Sequence, residues 1–144
     1  MPQATRFTSQ QTSLNSTQID RIQQDLNASL NREDQKPTFY PAFRGDEKIG
    51  LVIFVDETGQ NGVIEIGVAL NRAGEIVAVK ILDHHEKSVI KKEEFLGQFI
   101  GKSTKDIPKI GEEIVPHPDA VEASKAVIRG VKKALLLKRE VFGH

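Results

Sequence analysis

The stretch from Lys48 to Leu82 leaves this chain few ways to fold. It reads "KIGLVIFVDE" (48–57), "GVIEIGVAL" (62–70) and "EIVAVKIL" (75–82), three runs rich in Val and Ile with only short connections between them. Such runs, bounded by Gly, Asn and Asp, are strands. Connections this short carry no crossover, so successive strands must pair antiparallel, as a meander. The first run is apolar on both faces. The second alternates: Ile64, Ile66, Val68 and Leu70 point one way, while Gly67 and Ala69 on the other side leave room for a close approach. "NRAG" (71–74) is the turn into the third run, where Val77, Val79 and Ile81 share the parity of a core face. Continued, that parity puts His85 inward and His84 outward. Ahead of the meander, "TFYPAFR" (38–44) is aromatic, and Pro41 makes it an edge strand or one with a break.

Helical spacing flanks these strands. Ile19, Ile22, Leu26 and Leu30 form an apolar stripe that predicts a helix from Thr17 to Asn31, with Ser16 as its N-cap. Phe95, Leu96, Phe99 and Ile100 predict a shorter helix in "KKEEFLGQFIG" (91–101), closed by Gly101. Residues 102–117, with Pro108 and Pro116, read as a loop. A long last helix runs from about Asp119 to Val141. Val127, Ile128, Val131, Ala134 and Leu135 line its buried side, and Lys125, Arg129, Lys132 and Lys133 its solvated one. Gly130 in the middle of that helix predicts close packing. The fold class is α+β: an antiparallel meander sheet packed against the long C-terminal helix and a shorter helix, with an N-terminal helix attached. Residues 1–14, rich in Gln, Ser and Thr, read as a disordered tail, residues 15–36 as the N-terminal helix and a polar link, and 37–144 as the domain proper.

Composition narrows the chemistry. The 144 residues carry 20 basic and 20 acidic side chains, a formal net charge of zero. With one tyrosine and no tryptophan as well, a nucleic-acid partner has little to hold. The absence of cysteine excludes disulfides, thiolate metal sites, iron–sulfur clusters and a cysteine nucleophile. The longest apolar runs fall far short of the ~20 residues that span a bilayer. The polar beginning "MPQATRFTSQQTS" shows no signal peptide.

The segment "PHPDAVEASKAV" (116–127) opens the last helix, where free N–H groups and the positive end of the dipole favour an anion. Asp119 and Glu122 stand at capping-box spacing, and such a box would supply that anion from the chain itself. A phosphate placed there would face both carboxylates. Ser124 is a hydroxyl donor for it, and Lys125 and Lys102 are cations that could compensate the charge.

Four segments, in this order, resemble the FMN-binding domain of flavin-carrying subunits in ion-pumping redox complexes and of membrane-bound respiratory regulators. They are "TGQNGVIEIGVAL", "NRAGEIVAVKILDHHE", "FLGQFIGKS" and "ASKAVIRGVKKAL", and the likeness covers roughly Thr38 to Leu137. The resemblance implies a flavin-based redox carrier with a redox protein partner, on the extracytoplasmic (periplasmic) side of a membrane. It assigns no catalytic acid or base, since the isoalloxazine does the chemistry. In that family the helix entrance reads Ser-Gly-Ala-Thr-x-Thr/Ser, and its threonine carries FMN through a phosphoester. Here Pro118, Asp119, Ala120 and Val121 stand in those places, so the acceptor position is Val121, which has no hydroxyl. "EKSVI" replaces the family's Glu-Thr-Pro-Gly-like continuation and keeps only Glu86. The implied pocket for a non-covalent FMN, or another small ligand, lies between three groups of residues: Asp119, Ala120, Val121, Ser124 and Lys125 at the helix start; His85, Glu86, Lys87 and Ser88; and Gly62 and Gly67.

The alternative is a flavin-free binding or interaction module of the same fold. His85 and His117 are its candidate haem or metal ligands, with Glu86 or Asp119 as a carboxylate. Against a metal, His84 and His85 are adjacent on a strand and point oppositely. Histidines hydrogen-bonded between a strand end and the 102–117 loop would account for the same residues.

Overall fold

The three runs pair as their spacing dictates, β4 (Glu47–Thr58) with β5 (Val63–Asn71) and β5 with β6 (Ile76–Asp83), all antiparallel. A computed structural model of the chain describes residues 3–143; Met1, Pro2 and His144 lie outside the described residues. β3 (Thr38–Arg44) completes the meander on the far side of β4, with a bulge after Ala42. Facing residues Ile53, Val68 and Val79 stand in register across β4, β5 and β6, and Val55, Ile66 and Ile81 do the same one step along. All six are buried.

α4 (Val121–Phe142) lies across this buried face. Val127, Val131, Ala134, Leu135 and Leu136 are fully covered. Gly130 is where helix and sheet come closest: a Cβ built there would sit 2.5 Å from Ile66 Cδ1 and 3.1 Å from Glu57 Cγ. α1 (Ser16–Leu26) packs on the outer side of α4, burying Ile22 and Leu26. The α+β architecture expected from the sequence is the one observed.

Several boundaries differ from expectation, each for a local reason. α1 is capped by Asn15 rather than Ser16, through a reciprocal pair with Gln18. It ends at Leu26 because Asn27 adopts the left-handed conformation (φ 55°), so Leu30 is buried from the link instead of from the helix. The parity read for β6 breaks at Val77. This extra residue, opposite Ala69 and Leu70, leaves Ile76 buried and Val77 42% exposed. The chain has left the strand by His84, and His85 is exposed rather than inward.

The 91–101 segment is not one helix. It is a single turn, α2 (Glu93–Leu96), flanked by 3-10 turns at Ser88–Lys91 and Gly97–Phe99; Phe95, Leu96 and Phe99 are buried but Ile100 is not. Inside the expected loop lies α3 (Ile107–Glu113). Pro108 sits in its first turn, where its missing N–H costs nothing. Ile107, Ile110 and Ile114 give it a buried face.

Nor are residues 3–14 a free tail. β1 (Arg6–Phe7) and β2 (Gln10–Gln11) pair with β3. Pro41 cannot donate from that edge, but its carbonyl accepts from Thr8 N at 3.1 Å.

The basic side of α4 is also not simply solvated. Lys133 is 2% exposed and its ammonium meets three acceptors: Asp34 at 3.1 Å, Glu57 at 2.5 Å and the carbonyl of Asp56 at 2.7 Å. Arg129 pairs with the other oxygen of Glu57. These bonds tie the link after α1 to β4 and α4.

Candidate functional site at the entrance of the long helix

Three segments converge where α4 begins: the β4–β5 turn, the stretch after β6, and residues 117–123. Glu86 organises the first two. Its carboxylate accepts from Gln60 N at 3.0 Å and Asn61 N at 2.8 Å, while its own N–H donates to His84 Nδ1 at 3.0 Å. It packs so closely that a Cβ on Gly59 would lie 3.0 Å from the Glu86 carboxyl carbon. The His85 ring lies against Gly62, whose φ of 128° disfavours any side chain.

The third segment is held by Ser124 and His117. Ser124 is fully buried and its hydroxyl accepts from His117 N at 3.0 Å. His117 Nδ1 accepts from Asp119 N at 3.1 Å, which leaves the proton of the neutral ring on Nε2, 2.9 Å from Glu94 Oε1. These bonds set the turn from which α4 starts.

No side chain caps α4. Its N-cap is Ala120, and the capping box expected from Asp119 and Glu122 is not formed. Both carboxylates turn to solvent instead, with side chains 69% and 67% exposed, and Glu122 lies 3.7 Å from Lys125 Nζ. A box closed by Glu122 would need Asp119 as the N-cap, and the bond from Asp119 N to His117 places that residue one position before the cap. The first-turn amides of α4 therefore open onto a depression of about 320 Å³ lined by Gln60, Asn61, Glu86, Lys87, Pro118 and Val121, among others. A second, about 530 Å³, shares Pro118 and adds Phe95, Val115, Pro116 and His117.

The sequence-derived site is thus brought together in large part. Glu86, Lys87, Asp119, Ala120 and Val121 line one depression, with Gly62 and His85 beside it. Lys125 lines the neighbouring one with Gln60 and Glu122. Ser88 is exposed in the turn that follows. Two residues do not join. Gly67 is on the opposite face of the sheet, under the ring of Phe54, whose Cε1 would be 3.2 Å from an added Cβ. Lys102 pairs with Glu113 at 2.8 Å, and that bond raises its pKa. Ser124 is below the surface, engaged as described. Sequence reasoning missed Gln60 and Asn61; the signal was the Gly-x-x-Gly of the β4–β5 turn facing an isolated Glu86.

Among the described residues no group of three His, Asp or Glu side chains could hold a metal ion, and no helix is long and apolar enough to cross a membrane. Both ring nitrogens of His117 are engaged, so it offers no free lone pair for haem.

No family model matches the chain. Among curated proteins it is similar to a component of the proton-translocating ferredoxin:NAD(+) oxidoreductase complex of Clostridium ljungdahlii, 29% identical over 115 residues, 74% of this chain and 62% of that one. It is also similar to the corresponding component of the ion-translocating oxidoreductase complex in two Shewanella species. For S. oneidensis the identity is 25% over 120 residues, covering 74% of this chain and 57% of the relative. For S. piezotolerans it is 31% over 115 residues, covering 70% and 54%. The chain spans little more than half the length of these relatives.

Proposed function

We propose that this chain is an FMN-binding-type domain serving an electron-transfer complex, and that it holds FMN without a covalent bond. Kinship with components of ion-translocating oxidoreductase complexes and the family motifs along the chain support the class. The observation that carries the site is the uncapped first turn of α4, opening between Gln60–Asn61 and Glu86–Lys87. Free amides at the positive end of a 22-residue helix suit a phosphate.

The ester is another matter. Val121 has no hydroxyl, and the Ser124 hydroxyl is buried and bonded to His117 N. The flavin phosphate would rest on the α4 amides with Lys87 beside it. Glu86, its charge already shared with two backbone N–H groups, would hold the β4–β5 turn as a wall. Pro118, Val121 and the Phe95–Pro116 groove supply apolar surface for the ring. Bound FMN supplies the electron transfer; the protein binds, orients and shields it. Ion translocation works across a membrane, so we place the domain at a membrane face, on the extracytoplasmic side that the family resemblance implies.

The test is a UV–visible spectrum of freshly purified protein and of its filtrate after unfolding, followed by FMN titration of the apo form. Flavin absorbance that passes into the filtrate, or saturable FMN uptake, is the expected result. A colourless protein that ignores added FMN, with Val121→Thr equally inert, would overturn the flavin reading and leave the flavin-free module.

A further inference from the structure

The face of the sheet turned away from α4 is unusually apolar for a surface. Tyr40, Phe54 and Leu82 form a strip across it: the Tyr40 and Phe54 rings meet edge to face at 5.5 Å, and Phe54 and Leu82 both close over Gly67. Phe54 is 46% exposed and Leu82 50%. Val52, Ala69 and Ala78 stand in register beside the strip. An antiparallel sheet with one open face ordinarily alternates to polar residues there.

Along one border the ladder sets Asp56 opposite Glu65 and Glu65 opposite Asp83. Like charges directly across a sheet destabilise it. Among the described residues none of the three carboxylates has a cationic partner; the bond to residue 56 from Lys133 goes to its carbonyl. A depression of about 360 Å³ joins the strip to this border, lined by Tyr40, Phe54, Asp56, Glu65, Glu33 and Lys36, among others. Lys80, in register with Gly67, is the cation on the strip itself.

From this pairing of an apolar strip with an uncompensated acidic border we infer that the outer sheet face docks a partner protein, through a segment with apolar side chains flanked on one side by Lys or Arg. Burying Phe54 and Leu82 supplies the affinity, and cations over Asp56, Glu65 and Asp83 relieve the like-charge row and fix the orientation. The border belongs to the same end of the sheet as the β4–β5 turn, and Asp83 is followed closely in sequence by Glu86. A partner seated there lies beside the entrance of α4 without covering it. The inference goes beyond the flavin reading and stands with or without bound FMN.

The probe is a short synthetic peptide alternating Leu and Lys, titrated into isotopically labelled protein and followed by amide chemical shifts. Leu/Glu and Ser/Lys peptides serve as controls. We expect shifts concentrated at residues 40, 52–56, 65–69 and 78–83, weakening at high salt, and poor binding of both controls. Asp56→Asn/Glu65→Gln/Asp83→Asn should bind roughly tenfold more weakly, from a few exposed pairs. Phe54→Ser should bind weakly while keeping its circular dichroism. Shifts elsewhere, no binding, or binding unchanged in the triple variant would overturn the inference. So would a concentration-dependent dimer of the free protein, in sedimentation, that places a second copy on these residues.

Discussion

Ser124 and His117 are locked together from opposite ends of one turn: the buried hydroxyl accepts from the backbone N–H seven residues upstream, at 3.0 Å. The hydroxyl nearest Val121 thus builds the entrance of α4 and is already engaged. Ser124→Ala leaves the half-buried His117 N–H without its acceptor, a cost of about 1 kcal/mol. Urea denaturation should show that loss, and hydrogen exchange should show faster exchange at residues 117–120. Stability equal to that of the parent would mean that the turn is held by other bonds.

The two carboxylates at the α4 entrance give the phosphate proposal an electrostatic test. Asp119 and Glu122 are exposed, so each would repel a bound phosphate by about 1 kcal/mol at contact distances in water. Asp119→Asn/Glu122→Gln should therefore tighten FMN binding several-fold at low salt, and the gain should shrink as salt rises. Riboflavin, which lacks the phosphate, should show no such gain. Equal effects on FMN and riboflavin would move the phosphate away from α4.

Legibility followed the kind of force involved. The meander was readable because period-two apolar patterns and short turns allow one pairing. The buried face of α4 was readable from its 3.6-residue spacing, and Gly130 was readable as a contact point. What escaped depended on single residues responding to tertiary neighbours. The odd parity holds at Val79 and Ile81, but a second extra residue at Leu82 and the end of β6 at Asp83 keep it from reaching His85, which is exposed. Asn27 cut α1 short by adopting a backbone conformation that no periodicity announces. Lys133 looks like any surface lysine until Asp34, from a distant link, is placed against it. At the site, Glu86 and Val121 were legible from the motif. The engagement of Ser124 and the exposure of Asp119 were not, because both follow from how His117 directs the turn.

Lys133 is the most exacting polar group in the core. Its three acceptors match the three protons of an ammonium. Lys133→Met removes the cation but leaves the nearly buried Asp34 carboxylate unpaired, whereas Glu57 keeps Arg129. The expected cost is about 3–5 kcal/mol. Adding Asp34→Asn should recover part of it, and the non-additivity in a double-mutant cycle measures the coupling.

Gly130→Ala sets helix propensity against packing. Alanine gains about 1 kcal/mol in a helix interior. Here its methyl group would meet Ile66 Cδ1 at 2.5 Å and Glu57 Cγ at 3.1 Å, inside a filled core and beside a fixed ion pair. Overpacking costs about 1–3 kcal/mol, so the variant should be less stable. Ile66→Val deletes the clashing Cδ1. Gly130→Ala/Ile66→Val should then melt higher than Gly130→Ala alone, although Ile66→Val by itself is destabilising.

Glu140 connects the C-terminal end of α4 to α1, and it should make that connection sensitive to acid. Its side chain is 5% exposed and accepts from Arg21 Nη2 at 2.6 Å and Arg139 Nη2 at 3.1 Å, while its carbonyl accepts from Gln18 Nε2 at 3.1 Å. Burial alone would push the carboxyl pKa up; the hydrogen bonds and charges of Arg21 and Arg139 outweigh it and hold the group below its usual range. A folded-state pKa below the unfolded one means that the unfolded chain binds the proton more readily. The stabilisation is therefore complete above the unfolded carboxylate value of about 4.3 and is lost as pH falls through the lower folded one. Urea midpoints measured downward from neutral pH should fall for the parent across that window. Glu140→Gln should be less stable at neutral pH and show a flatter acid limb, with faster amide exchange in residues 16–26. An acid limb unchanged by the substitution would assign the pH dependence to other carboxylates.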